Sequence, residues 1–393
     1  MSASRRTCVI VTWFYPDQPG FLDFSYRIRT LSQHYDVILV SRAPISQREL
    51  LVPGISYVVL PTQDCGTTRH VRYVLMVGRF LRRTRPDLVM YLGSQIAGAT
   101  HIARNIPSAV YWNEHPSHYF SNGAGNLVTR GSRAILRALT YRGAARAQVV
   151  MPIGEAHAAD LGAHGVPALK VRVIHMGVSS RFAAIGQTRS NQRAKDFDRP
   201  LELIYTGTVM KERGRDVMLE ALALVNRHRV RARLTFVGAL PDQFEYCNRR
   251  ASELGISQQI HVVGRISGDE VPEALALADI GLCIWEDKLY WRFNPPTKLF
   301  EYLVAGLPVL ASRIQTHTAY IRDWENGLIF EYNAESLAQR ISEIWKRRDC
   351  LAAFSARAAA SGRRYLWESI EPQFLQALPD ADIHLMQRHA TEQ

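Results

Sequence analysis

Nearly continuous apolar runs of a few residues recur along this chain, and helically patterned stretches separate them. CVIVTWF, DVILVS, DLVMYLG and SAVYWNE, all before residue 115, are such runs. Their shortness, their valines and isoleucines and their lack of alternation predict strands buried on both faces. FSYRIRTLSQHY (24–35) has the period of an amphipathic helix. After Asp198 the series restarts. LELIYTG, ARLTFVGA, IHVVG, IGLCIWE and PVLAS read as strands, with helices through DVMLEALALVNRH, FEYCNRRASELG and EVPEALALAD. Such alternation builds parallel sheets from βαβ units. The expected class is α/β, with two Rossmann-like domains, 1–185 and 201–364. The polar tract GQTRSNQRAKDFDRP (186–200) is the expected linker.

Composition agrees with this outline. The 393 residues exceed one ordinary domain, and 47% apolar content supplies two cores. No apolar run reaches the length of a membrane span, and MSASRRTCVIVTWFYP reads as a first strand rather than a secretory signal. Five widely spaced cysteines without a C-x-x-C pair argue against a disulfide framework or a zinc site, and fit a reducing cytoplasm.

Charge is unevenly distributed along the chain. Residues 1–150 hold eighteen arginines, no lysine and seven acids, a net +11 of the chain's +12. The two domains are therefore expected to face different partners. RHVRYVLMVGRFLRR (69–83) and RGSRAILRALTYRGAAR (130–146) place arginines beside apolar residues at helical spacing. Helices of that composition lie on anionic membranes. An ordinary basic surface and nucleic-acid binding are the alternatives. Interleaved RNA-reading aromatics are missing, so no nucleic acid is expected. The expected location is cytoplasmic, peripheral on the inner face of a membrane.

Ligands of open parallel sheets bind where strands end, so the strand-to-helix loops hold the candidates. In YTGTVMKERGRDVMLEAL (205–222) a strand ends at Gly207 and a helix begins near Arg215 or Asp216. Lys211 and Arg213 in the loop suit a diphosphate. A solvated charged loop with Gly214 as a turn is the alternative. In FNPPTKLFEYLVAGLPVLAS (293–312), Asn294 or Thr297 can cap a helix and Pro295 or Pro296 suits its first turn. Leu299, Phe300, Leu303 and Val304 form one face, and Gly306 with Pro308 ends the helix. N–H groups at Thr297 and Lys298, with the lysine itself, attract phosphate. Glu301 can accept two hydroxyl hydrogen bonds from a ribose. AVYWNEHPSHYF (109–120) runs a strand into a loop carrying Glu114, His115 and His118, and WFYPDQPGFLDF (13–24) holds Gly20. NGAGNLVTRG lacks the third glycine and the acidic partner of a dinucleotide fingerprint. Asp380-Ala381-Asp382 imitates a metal motif in an otherwise bare tail.

These segments, in this order, resemble family-4 glycosyltransferases, the retaining enzymes of the GT-B fold. PPTKLFEYLVAGLPVLAS is similar to their nucleotide-sugar segment, YTGTVMKERGRDVMLEAL to their phosphate loop, and IHVVGRISGDEVPEALALADIGLCI to the run between them. VIHMGVSSRF resembles the close of their first domain, and RRYLWESI their crossover helix. The resemblance implies two Rossmann-like domains with parallel sheets facing across a cleft, and residues 365–393 crossing back to the first. It implies donor contacts from Gly20, Gly207, Thr208, Lys211, Arg213, Val263, Gly264, Asn294, Pro296, Thr297, Lys298 and Glu301. His115, Lys211 and Arg213 are the implied catalytic groups, with His115 near the reacting sugar. Retention of configuration is implied, with no cofactor and no metal. The donor would be a nucleotide-diphosphate sugar, UDP or GDP first. The acceptor would be a glycan or a lipid-linked sugar in bacterial-type surface polysaccharide or glycolipid assembly.

The chain departs from the pattern at three places. Phe293 stands where the first glutamate of the E-x(7)-E motif contacts the donor sugar. Thr208 stands at the arginine of the phosphate loop, and Met176 at the asparagine before the linker. Phe293 and Thr208 keep open a non-catalytic GT-B partner subunit with a membrane role; a GT-B-fold epimerase and a basic membrane- or nucleic-acid-binding protein are the other rivals.

Overall fold

A computed structural model describes residues 5–13, 22–46, 50–62, 66–120, 127–185, 199–227 and 230–379. Gly20, most of the expected linker and the Asp380/Asp382 pair lie outside them. The chain forms two compact units. One comprises Met1–Met176 and Ile370–Gln393, the other Gly177–Ser369.

The first unit is built on β1 (Thr7–Thr12), β2 (Asp36–Ser41), β3 (Ser56–Val59), β4 (Leu88–Leu92), β5 (Ser108–Trp112) and β6 (Val149–Pro152). They pair in parallel in the order β3-β2-β1-β4-β5-β6. Every residue of β4 and β5 is buried, as the unbroken apolar runs require. Val9, Val11, Val89, Tyr91, Val110 and Trp112 pack on one side against Tyr73, Val77 and Leu81 of the helix Gly66–Thr84, and against Tyr141 and Ala144 of Leu127–Arg146. Gly143 allows close docking there, because a Cβ on it would lie 2.3 Å from the Ala97 carbonyl.

The helix Leu22–His34 carries a fully buried arginine, Arg27. Its guanidinium pairs with Asp23, donates to the His175 carbonyl (3.0 Å) and stacks 4.0 Å over Tyr111. The Tyr111 hydroxyl donates to Asp23 in turn. Phe374 of the returning helix lies 5.6 Å from Arg27, and the Thr30 hydroxyl donates to Glu371. One buried cation thus anchors the point where the chain leaves this unit and the point where it returns.

The second unit repeats the plan with β7 (Leu201–Thr206), β8 (Ala232–Ala239), β9 (Ile260–Gly264), β10 (Ile280–Cys283), β11 (Val309–Ser312) and β12 (Gly327–Phe330). The order is β12-β11-β10-β7-β8-β9, again all parallel. Strand order reverses between β1 and β4, and between β7 and β10, so each unit has a switch point of the kind that binds ligands. Asp279 secures the second one. It accepts two bonds of 2.6 Å from Arg199 and one of 2.9 Å from the Glu202 N–H, tying the start of β10 to the start of β7.

Candidate functional site

The chain leaves β7 at Gly207, with φ +109°. Its N–H still donates to Val237 on β8 (2.8 Å). Gly238 backs it, since a Cβ there would come within 3.0 Å of the Gly207 carbonyl. Lys211–Arg213 then form one 3₁₀ turn, closed by Gly214 at φ +76°. A side chain at Gly214 would overlap Ile284, at 2.2 Å. The Tyr332 hydroxyl donates to the Lys211 carbonyl (3.1 Å), and the Glu286 N–H to the Glu212 carbonyl (3.0 Å). This basic loop is therefore braced from two other loops of the same unit.

The helix Thr297–Val304 enters beside it. Pro296 occupies the N-cap and no side chain caps the helix, so the cap expected from Asn294 or Thr297 is not made. Proline's fixed φ already sets the entry geometry. Gly306, at φ +67°, ends the helix, and the Leu307 N–H returns to the Tyr302 carbonyl (2.8 Å). Tyr302 fastens the helix to the strands: its ring lies where a Cβ on Gly281 would be 2.3 Å away, and its hydroxyl accepts the Thr206 N–H (2.8 Å).

Lys298 is buried, at 8% exposure. Its ammonium sits 3.5 Å over the Tyr205 ring and has no hydrogen-bond partner among the described residues. It lies 3.3 Å from the point where a Cβ on Gly207 would project, and an Arg213 guanidinium nitrogen lies 3.9 Å from that point. Two cations therefore converge on an exposed glycine at the carboxyl end of β7, at the switch point. Burial pushes the Lys298 ammonium down to about 7, and Arg213 adds to this. One turn along, Glu301 is half-buried, and no described group hydrogen-bonds or ion-pairs with it. Burial raises its carboxyl to about 7, against the opposing pull of Lys298. Beneath them Cys283 Sγ lies 3.4 Å from His317 Nε2, and His317 Nδ1 donates to the Ser312 carbonyl (2.9 Å). Burial lifts the thiol to about 12 and lowers the imidazole to about 4, so both are neutral.

The structure thus brings Gly207, Arg213, Thr297, Lys298 and Glu301 together. Lys211 is exposed at the edge of the loop, Thr208 is half-buried with its carbonyl held by the Tyr205 hydroxyl (3.1 Å), and Asn294 is half-buried before the helix. Val263 and Gly264 end β9, two strands out from β7, about 10 Å away by strand spacing. In the first unit His115 follows β5 and is buried. Its Nδ1 bonds Ser117 Oγ (2.7 Å), and its Nε2 faces the Tyr141 hydroxyl (3.3 Å) and the Asp160 carboxylate (3.5 Å). Burial raises the Asp160 carboxyl, but hydrogen bonds from His115 and Tyr141 outweigh it and leave it lowered. His118 pairs with Glu114 at 2.8 Å. Sequence reasoning missed Tyr205, Gly238, Tyr302 and Tyr332, because tyrosine and glycine near strands read as core and turn. Among the described residues no three His, Cys, Asp or Glu side chains are grouped to hold a metal ion.

Two family models match the chain: glycosyl transferases group 1 over residues 187–361, and the glycosyl transferase 4-like domain over 24–177. No curated protein sequence matches it. Solved structures share the fold. HepE from Anabaena, in complex with UDP-glucose, is 17% identical with a TM-score of 0.70, covering 94% of this chain and 98% of that one. WaaG, a glycosyltransferase involved in lipopolysaccharide biosynthesis, is 17% identical at 0.70, covering 96% and 99%. Sucrose-phosphate synthase from Thermosynechococcus elongatus is 15% identical at 0.70, covering 99% and 100%.

Proposed function

The chain belongs to the family-4-like glycosyltransferases of the GT-B fold, and from that premise we propose that it moves a sugar from a nucleoside diphosphate sugar to a glycan or lipid-linked acceptor with retention of configuration. The observation that carries the reading is Lys298: a buried ammonium without a partner, converging with Arg213 on Gly207. A buried cation of this kind is stabilised by an anion brought to it. The donor diphosphate supplies that anion, and the free Glu301 carboxylate accepts the ribose hydroxyls.

During transfer, charge grows on the leaving diphosphate. Lys298, Arg213 and Lys211 neutralise it, which is electrostatic catalysis by groups already in place. The reaction needs no metal in this scheme. His115 orients a sugar hydroxyl by exchanging its Tyr141 contact for the substrate. UDP is the first nucleotide to test, since HepE structures contain UDP and UDP-glucose. Assembly of a surface polysaccharide or glycolipid draws support from WaaG and from WaaB, a lipopolysaccharide outer core galactosyltransferase.

Membrane contact belongs to the same proposal. On the helix Leu127–Arg146, Val128 is 79% and Ile135 63% exposed, beside Arg130, Arg133 and Arg137. No acid occurs between His115 and Gly154. That surface suits anionic headgroups on the inner face of a membrane. No described helix is long and apolar enough to cross one.

A thermal-shift screen of UDP-, GDP-, ADP- and dTDP-sugars tests the donor. One nucleotide series should stabilise the protein, and Glu301→Ala should weaken that effect. Lys211→Ala with Arg213→Ala should abolish transfer. A folded sample that no nucleotide sugar stabilises would overturn the reading. An epimerised nucleotide sugar formed from donor alone would replace transfer with epimerisation.

A further inference from the structure

The hydrogen bonds around His115 run in one direction, and that direction fixes what the histidine can offer. His115 caps the 3₁₀ turn Pro116–His118. Its Nδ1 accepts the Ser117 N–H (3.2 Å) and bonds the Ser117 hydroxyl (2.7 Å). A main-chain N–H can only donate, so in the neutral ring Nδ1 is bare and Nε2 carries the hydrogen. Nε2 faces the Tyr141 hydroxyl (3.3 Å) and the Asp160 carboxylate (3.5 Å). Tyr141 comes from the helix Leu127–Arg146 and Asp160 from the helix Glu155–Ala163, so three elements of the first unit meet here.

The Tyr141 hydroxyl donates to Asp160 (2.6 Å). Burial works against the Asp160 charge, but the bonds from His115 and Tyr141 prevail, so the carboxylate is ionised and only accepts. With its hydrogen given to Asp160, the Tyr141 oxygen turns lone pairs toward Nε2. Ring contacts hold it there: His164 stacks on Tyr141 at 3.8 Å between centroids, 4° from parallel, and Trp112 lies 5.3 Å away. Ser117 on one side and Tyr141 with Asp160 on the other therefore demand the same tautomer. A buried carboxylate is tolerated where hydrogen bonds offset its desolvation, and here Tyr141 and His115 supply them.

We propose that Asp160 is a positioning residue that, through Tyr141, holds His115 as a hydrogen-bond donor at Nε2, an assignment whose part in transfer rests on the transferase reading. A sugar hydroxyl that replaces Tyr141 at Nε2 then meets a hydrogen and is held by its lone pair. The opposite tautomer presents a bare nitrogen there and can only accept.

Nitrogen-15 NMR of histidine-labelled protein reads the tautomer without any substrate. The His115 signals, assigned by their loss in His115→Gln, should show hydrogen on Nε2 and none on Nδ1. In Asp160→Leu the Tyr141 hydroxyl loses this acceptor and turns its hydrogen to Nε2, 3.3 Å away. Nδ1 then takes the ring hydrogen and donates to Ser117 Oγ, so the tautomer should reverse. Asp160→Leu/Tyr141→Phe removes the competing donor, and the Ser117 N–H alone should return the hydrogen to Nε2. Tyr141→Phe by itself should leave the tautomer unchanged, with Asp160 accepting directly. A merely structural Asp160 predicts no reversal and no return. In transfer assays Asp160→Leu should lower kcat about tenfold or more at nearly constant KM for the nucleotide sugar, and the double variant should recover it. Hydrogen on Nδ1 in the parent or in Tyr141→Phe, an unchanged tautomer in folded Asp160→Leu, or a reversed tautomer with undiminished kcat would each overturn the assignment. The parent and Tyr141→Phe keep it exposed should Asp160→Leu not fold. A parent protein that transfers from no nucleotide sugar would refute the transferase reading, while the NMR still decides whether Asp160 sets the tautomer.

Discussion

Nucleotide binding should draw a proton into this protein at alkaline pH. Lys298 is displaced from its ordinary 10.5 to about 7. That displacement corresponds to about 5 kcal/mol of preference for the neutral amine. A phosphate charge about 4 Å away contributes roughly 4 kcal/mol at an effective dielectric of 20, and a diphosphate brings more than one charge. The bound anion is therefore strong enough to return the ammonium to its charged form. Near pH 8 the free protein carries that charge on about one molecule in ten, so binding should take up roughly 0.9 proton. At pH 6 the ammonium is charged both before and after binding, and Lys298 should take up almost none. From pH 7.5 to 9 the Kd for UDP should weaken roughly tenfold per pH unit. Glu301, raised to about 7, works from the other side. Below that pH its carboxyl is protonated, and binding by the ionised form should release a proton. The two groups titrate as one system and give an affinity maximum near neutrality.

Calorimetry in buffers of different ionisation enthalpy measures the proton count directly. Lys298→Met should remove the alkaline limb and Glu301→Gln the acid limb. The free protein should report the same burial. The folded state holds the Lys298 proton less tightly than the unfolded chain does, so its cost is fully present below about pH 7 and fades toward 10.5. Lys298→Met should therefore raise Tm, and more at pH 6 than at pH 9. A Kd for UDP flat from pH 6 to 9, with no buffer dependence of the heat, would refute this account of Lys298.

Other substitutions probe the frame around the site. Gly281→Ala forces a methyl to within 2.3 Å of the Tyr302 ring and should cost about 1–3 kcal/mol by denaturant unfolding. Tyr302→Phe keeps the packing but leaves the Thr206 N–H unpaired, again about 1–3 kcal/mol, with a weakened donor Kd because the helix of Lys298 and Glu301 loses its tie to β7. Arg27→Met strands the buried Asp23 carboxylate and should cost about 3–5 kcal/mol, readable as a fall in Tm. Val128→Asp/Ile135→Asp should reduce co-sedimentation with vesicles containing anionic lipid while leaving nucleotide binding intact; unchanged sedimentation would remove that helix from the membrane reading.

The parts of this protein that were legible beforehand are those set by neighbours in the chain. Unbroken apolar runs gave the buried strands, and Gly306 gave the end of its helix. Strands β3, β6 and β12 (SYVV, VVMP and GLIF) were not read from the sequence; β3 lies at the sheet edge and is largely exposed, so it carries no buried apolar run. The apolar face read for the helix Thr297–Val304 was too narrow: Tyr302 is buried as well, since it packs against Gly281 from another strand. Lys298 shows the limit most clearly. As a string, P-T-K-L-F-E-Y places a lysine at a helix start, where an exposed phosphate ligand is the natural inference. In the fold the same lysine is withdrawn under Gly207 and over Tyr205, contacts made across about ninety positions of chain. Its burial, and not its place in the motif, is what makes its charge depend on a bound anion. A surface lysine at that position would bind phosphate with little change in protonation between pH 6 and 9, so the proton count separates the site in the fold from the motif on the page.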